Sequence, residues 1–206
     1  MSEDMEMQLI SPFSVFISKT KIPDVAVQKM LNLTDAVLEE KEESWGENLV
    51  GQIENEWLIS DAKMKEHGAH RFITNIANAY TKEAQRNGRP MPNAPVRITG
   101  AWVNEMKKYE YNPLHFHTEC LLSSVLFLKL PDLSKSNISK KGHHHRDGLL
   151  EFVTHAPFPV SGDAGQYVVR PEVGDLYIFP ANLLHTVYPF DCAGVRRSVA
   201  FNFASY

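Results

Sequence analysis

From Val96 onward the chain is written as short runs of β-branched and aromatic residues: RITGAWVNEM, SSVLFLKL, GLLEFVTH, GQYVVRPEVGDLYIF and RRSVAFNF. Gly, Pro, Asp and Asn punctuate these runs too often for helices, so this part must be a small all-β unit of about eight strands. Upstream, the spacing changes. Apolar residues recur three and four apart in Val25-Ala26-Val27-Met30-Leu31-Leu33 and in Phe72-Ile73-Ile76-Ala77-Ala79-Tyr80, the period of amphipathic helices. Pro23-Asp24 supplies a start signal for the first helix. The second runs out in the polar residues 82–88, before the breaker-rich RNGRPMPNAP. Between them, WGENLVGQIENEWLIS reads as a loop with one short strand.

Helices followed by a set of short strands give an α+β chain, and the expected architecture is a double-stranded β-helix (jelly-roll) core with the N-terminal helices packed on one face. With 206 residues the chain suits one core. We therefore expect a single domain over 1–206, with a helical N-terminal part over 1–95 and the jelly-roll core over 96–206. No Gly/Ser-rich linker near Pro95 argues for two separate units.

Charge and cysteine content remove several classes of function. Lys plus Arg number 21 against 25 Asp plus Glu, a formal charge of -4, so the basic footprint of a phosphate-backbone binder is missing. Cys120 and Cys192 are too few for a disulfide framework, and no apolar run approaches the roughly 20 residues of a membrane span. The N-terminal MSEDMEMQ is acidic where a secretory leader is basic and then apolar. The expectation is a soluble, cytoplasmic protein with no membrane partner and no charge-driven nucleic-acid partner; nucleic acid as a substrate stays open.

The chemistry lies in the histidines. Two residues apart on a strand share a face and sit roughly 7 Å apart along the chain, so His115 and His117 can converge on one ion, and Glu119 continues their face. His185, in GDLYIFPANLLHTVYP, is the candidate third ligand. Two His and a carboxylate on one triangular face, with open positions opposite, is the arrangement of non-haem Fe(II) oxygenases. An isolated H-x-H in a strand is more often a half-exposed polar pair. The last strand adds an independent signal. Alternation puts Arg196, Ser198, Ala200 and Asn202 on one face and Arg197, Val199 and Phe201 on the other. Arg beside Ser on an inner face makes a carboxylate socket, because the guanidinium fork matches a carboxylate and the hydroxyl adds a donor.

HFHTECLLSSVLFLKL, PEVGDLYIFPANLLHTVYP and RRSVAFN, taken in order, resemble the catalytic half of the 2-oxoglutarate and Fe(II)-dependent oxygenases, in particular the prolyl-hydroxylase-like branch found in phages and marine bacteria. The resemblance covers about 100–202 and rests on order and spacing: the H-x-H pair, the turn Pro171-Glu172-Val173-Gly174-Asp175, His185 with Pro189 four residues on, and Arg196. It implies His115, His117 and His185 as metal ligands. It also implies Arg196 with Ser198 as the pair that holds the far carboxylate of 2-oxoglutarate, with O2 as the oxidant. Most of the superfamily has Asp or Glu where His117 stands, so a second register, His117, Glu119 and His185, stays open. The aromatic pair expected in the next strand is replaced by Leu126-Phe127, which removes a tyrosine hydroxyl.

The activity implied is a dioxygenase that hydroxylates a peptidyl or free amino-acid side chain with release of succinate and CO2. Two rivals are a non-catalytic jelly-roll binding module and a cupin-type three-His enzyme that does not use 2-oxoglutarate. A cupin has no need of the Arg196-Ser198 socket. Trp102 and Asn104 share a face near the H-x-H, and Asn104 is a candidate for orienting substrate or co-substrate. Cys120 reads as a small buried hydrophobe, and His143-His144-His145 near Asp147 as a solvated run in a Lys-rich insert. Residues 45–65 and 129–148 are the candidate specificity loops.

Overall fold

The computed structural model describes residues 6–10, 15–139, 145–154 and 165–205. Two antiparallel sheets face each other. The larger has seven strands: β1 (Met7–Ile10), β2 (Ile17–Lys21), β3 (Glu56–Leu58), β4 (Val96–Met106), β6 (Leu122–Lys129), β9 (Asp175–Pro180) and β11 (Arg196–Ser205), in the spatial order β1-β2-β9-β6-β11-β4-β3. The smaller contains β5 (Asn112–His115), β7 (Leu150–Val153), β8 (Gln166–Val169) and β10 (Leu184–Val187), in the order β5-β10-β7-β8. Two facing antiparallel sheets joined this way form the jelly-roll core.

Helices α1 (Asp24–Glu40), α2 (Asp61–Glu66) and α3 (Ala69–Arg86) belong to the N-terminal third. Helix α3 buries Ile73, Ile76, Ala77, Tyr80 and Ala84, the spacing seen in the sequence, and α1 buries Val27, Met30, Leu33 and Val37. Both stripes join the outer face of the large sheet, through Val103, Leu126, Val199 and Phe201, in one apolar cluster. A second cluster, with Phe127, Phe152, Phe179 and Phe190, fills the space between the sheets. The helices thus buttress one face and leave the inner face for the site. No helix among the described residues is long and apolar enough to cross a membrane.

The division expected near residue 95 is less clean than a helical part beside a β part. Strands β1, β2 and β3 come from the N-terminal third and pair with the large sheet, β2 on β9 (Ser18 opposite Ile178) and β3 on β4 (Glu56 opposite Asn104). Sequence periodicity misses β2 because ISKTK carries one large apolar residue. Ser18 and Thr20 are buried only because the neighbouring strands enclose them. Helix α2 begins directly after the expected loop WGENLVGQIENEWLIS, at the end of the candidate specificity segment 45–65. Its signal is Ser60, whose hydroxyl accepts from the Lys63 N–H at 3.3 Å as an N-cap.

Candidate metal centre and co-substrate cavity

His115 ends β5 and lies opposite His185 of β10 in the small sheet, so backbone pairing places the first and third histidines side by side. His117 arrives differently. The strand stops at His115, and the segment after it turns, with the His117 N–H donating to the Ala181 carbonyl at 2.8 Å. The alternation expected to carry 115, 117 and 119 along one strand face therefore ends at its first member. Glu119 takes a left-handed backbone (φ 61°) and is exposed on an outer groove, outside the histidine cluster.

The three imidazoles converge, and their ligand nitrogens all lie within 4.8 Å of one another. His115 Nδ1 is 2.7 Å from the Pro113 carbonyl and His185 Nδ1 is 2.9 Å from the Leu183 carbonyl. Each ring donates through Nδ1 to a carbonyl two residues back, which leaves the Nε2 lone pair for the cluster. Nε2 of His117 is 3.3 Å from Nε2 of His185. Two nitrogens bound at right angles to one ion are separated by about 3 Å, so this spacing fits a common metal. Trp102 stacks on His117 at 5.8 Å, and Phe179 packs edge-on against His185 at 5.0 Å.

Electrostatics favour the ligand form. Burial, with a smaller contribution from the neighbouring His115, pushes His117 down to about 4. Burial also lowers His115, and it lowers His185 strongly, with both neighbouring rings adding to the effect. All three are neutral near pH 7, as metal binding requires.

From the histidines a narrow cavity runs inward between the sheets to Arg196 and Ser198, past Asn104 and Ser124. Arg196 is 2 % exposed, and no acidic side chain among the described residues pairs with it. Its Nη1 donates only to Ser198 Oγ and Met106 Sδ, both at 3.4 Å, while Nε and Nη2 have no partner. Burial alone pushes it down to about 10. A buried guanidinium with two idle donors is costly unless an anion completes it. The fit to a carboxylate at that end rests on these idle donors, and the fit to a divalent ion at the other on the converging imidazoles.

A family model for 2OG-Fe(II) oxygenases matches residues 100–202, half of the chain. The chain belongs to the 2OG-Fe(II) oxygenase family. The oxygenase therefore works with Fe(II) and 2-oxoglutarate, and its small-molecule co-substrate is 2-oxoglutarate. Solved structures agree on the fold. A prolyl-4-hydroxylase from Pseudomonas putida is 14% identical, with 95% of this chain and 96% of that one covered and a TM-score of 0.62. A prolyl hydroxylase from Trichoplax adhaerens, solved with a hypoxia-inducible-factor peptide, is 12% identical over 97% of this chain and 83% of that one, TM-score 0.58. The non-haem α-ketoglutarate-dependent epimerase SnoN of nogalamycin biosynthesis is 13% identical over 92% and 76%, TM-score 0.62. No curated protein sequence matches the chain.

Among the other candidate residues of the oxygenase, Trp102 and Asn104 line the cavity, and Asn104 Oδ1 has no partner there. Phe127 stands 4.9 Å from the Arg196 guanidinium, a cation–π contact where a hydroxyl was expected, whereas Leu126 turns to the helix-side core. Cys120 lines an outer groove, and burial raises its thiol to about 11. His145 lies 3.1 Å from the Ser136 carbonyl; His143 and His144 fall outside the described residues. Of the two candidate loops, 45–65 contributes Leu49, Val50 and Ile53 to the cavity. None of the described residues of 129–148 lines it. Asp147 gathers that segment onto itself, accepting from Ser136 Oγ at 2.7 Å and from the Ile138 N–H at 2.8 Å.

Proposed function

We propose that His115, His117 and His185 hold Fe(II), that Arg196 and Ser198 hold the far carboxylate of 2-oxoglutarate, and that the product is a hydroxylated peptidyl or free amino-acid side chain. Bound Fe(II) with 2-oxoglutarate and O2 supplies the oxidising power, leaving succinate and CO2. The chain's own residues supply geometry. Pro113 and Leu183 fix the tautomers of His115 and His185 through their carbonyls. Arg196 orients the co-substrate, and the phenylalanine cluster behind it excludes water. Three neutral imidazoles add no negative charge, so the ion keeps its full attraction for an anionic chelate.

The observation that carries this reading is one cavity with convergent imidazoles at its mouth and the unpaired Arg196 at its floor. The peptide bound by the Trichoplax enzyme and the prolyl hydroxylases of the same fold favour an amino-acid side chain as target. Anaerobic titration of Fe(II) with and without 2-oxoglutarate tests it through the visible charge-transfer band of the chelate. His115→Ala and His185→Ala are expected to abolish the band and Glu119→Ala to keep it. A band that survives in His115→Ala and disappears in Glu119→Ala installs the other register.

A further inference from the structure

His117 lines not only the inner cavity but also a second one, of about 430 Å³, whose lining meets that of the first at His117. Most of that wall is apolar, formed by Phe16, Met91, Leu121, Leu122 and Pro180, and among the described residues one cation stands in it, Arg89. The Arg89 guanidinium lies over the Phe16 ring at 4.6 Å, its Nε is buried without a partner, and no acidic side chain among the described residues forms a salt bridge with it. The backbone on both sides of the contact is hydrogen-bonded in place. Gly88 is left-handed (φ 73°), the Arg89 N–H donates to the Ala84 carbonyl at 2.9 Å, Gln85 donates to the Met91 and Pro92 carbonyls, and the Tyr80 hydroxyl donates to the Phe16 carbonyl at 2.8 Å. A guanidinium fixed on an aromatic plate with an idle donor is preorganised for an anion, and the walls around it suit an aliphatic group.

We propose that this cavity is the substrate subsite, in which Arg89 binds the α-carboxylate of an apolar amino acid, free or at a peptide C-terminus, while the apolar part lies toward His117. The inference rests on reading the histidines as the metal centre. Arg89 then determines specificity, separate from Arg196, which serves the co-substrate.

Calorimetric titration with N-acetyl-L-leucine and the uncharged N-acetyl-L-leucinamide tests it, on the anaerobic Fe(II) and 2-oxoglutarate-loaded protein and again with neither added. The wild type is expected to prefer the acid by about ten- to a hundredfold, the value of a charge-assisted hydrogen bond. Arg89→Gln should erase that preference, retain binding of the amide and leave the charge-transfer band in place. Tighter binding of a tetrapeptide ending in leucine than of N-acetyl-L-leucine would identify a peptide C-terminus as the source. Equal affinity for acid and amide in the wild type, binding of neither, or a preference that persists in Arg89→Gln overturns the proposal. Loss of the band in Arg89→Gln but not in Arg196→Gln would move 2-oxoglutarate to Arg89 and overturn it too. A wild type that prefers the acid yet never shows the band refutes the metal reading and leaves the carboxylate site standing.

Discussion

Arg196 and Arg197 are adjacent in sequence and serve opposite faces of β11. Arg196 enters the cavity, whereas Arg197 passes through the helix side, where Nε donates to Glu105 at 2.6 Å, Nη1 donates to Thr34 at 3.2 Å and Asp35 of α1 completes an ion pair. Sequence alternation separates the two correctly, and Arg197, though turned away from the cavity, is itself buried, 5 % exposed. Arg196→Ala is expected to weaken 2-oxoglutarate by about a hundredfold with Fe(II) affinity kept, as read by titrating the chelate band. Arg197→Ala should leave the chelate alone and cost about 1–3 kcal/mol in urea unfolding, because it leaves Glu105 unpaired and unties α1 from the sheet. Glu56 is a residue with no sequence signal. Both its carboxylate oxygens are buried without partners beneath the loop that borders the cavity, and a Cβ on Gly51 would stand 2.7 Å from one of them. Burial, with Glu110 nearby, raises it from 4.5 to about 7. The folded state therefore keeps a proton that the unfolded state releases. Its stability is highest below the unfolded value and falls as pH rises through the interval between the two, by up to about 3 kcal/mol. Urea midpoints from about pH 4 to 8 should show this decline, and Glu56→Gln should flatten it; an identical slope in both proteins would dissociate Glu56 from the effect.

Among the strands and turns, small irregularities decide which side chains reach the site. Strand β4 carries a bulge: Asn202 pairs with Gly100 and Phe203 with Ile98, so Thr99 has no partner on β11. The extra residue flips the parity of the strand. Val96 and Ile98 face the helices on one side of the bulge, Ala101 and Val103 on the other, and this puts Trp102, Asn104 and Met106 in the cavity. The Pro171-to-Asp175 turn works similarly on β9. Gly174 is left-handed (φ 88°), its N–H donates to the Phe127 carbonyl at 2.7 Å, and its carbonyl accepts from Ile22 at 2.9 Å. An added Cβ would sit 3.2 Å from Val27 of α1. Gly174→Ala should thus cost about 1–3 kcal/mol, read as a lower melting temperature, with the chelate band retained in the folded protein. A loss of band without a loss of stability would mean that the turn serves the site directly.

Across the complete chain, the site lies between sheets that depend on both halves of the sequence. A ligand confined to the folded state stabilises it by mass action. 2-Oxoglutarate is expected to raise the melting temperature only when a divalent metal is present, since one end binds the ion and the other Arg196; an equal shift without metal would contradict that bridging mode. Local terms are legible in the residue order: the α3 stripe, the alternation that separates Arg196 from Arg197, and the short list of candidate ligands His115, His117, Glu119 and His185, since periodicity and side-chain chemistry can be read residue by residue. Folding in three dimensions was needed to bring β1, β2 and β3 into the large sheet, and to deliver His117 from a turn while Glu119 leaves. It also placed Arg89 over Phe16 and buried Glu56 under a loop. Those outcomes depend on which backbone edges pair and which groups lose water, and such pairings join residues as far apart as Ser18 and Ile178, beyond the reach of any local pattern.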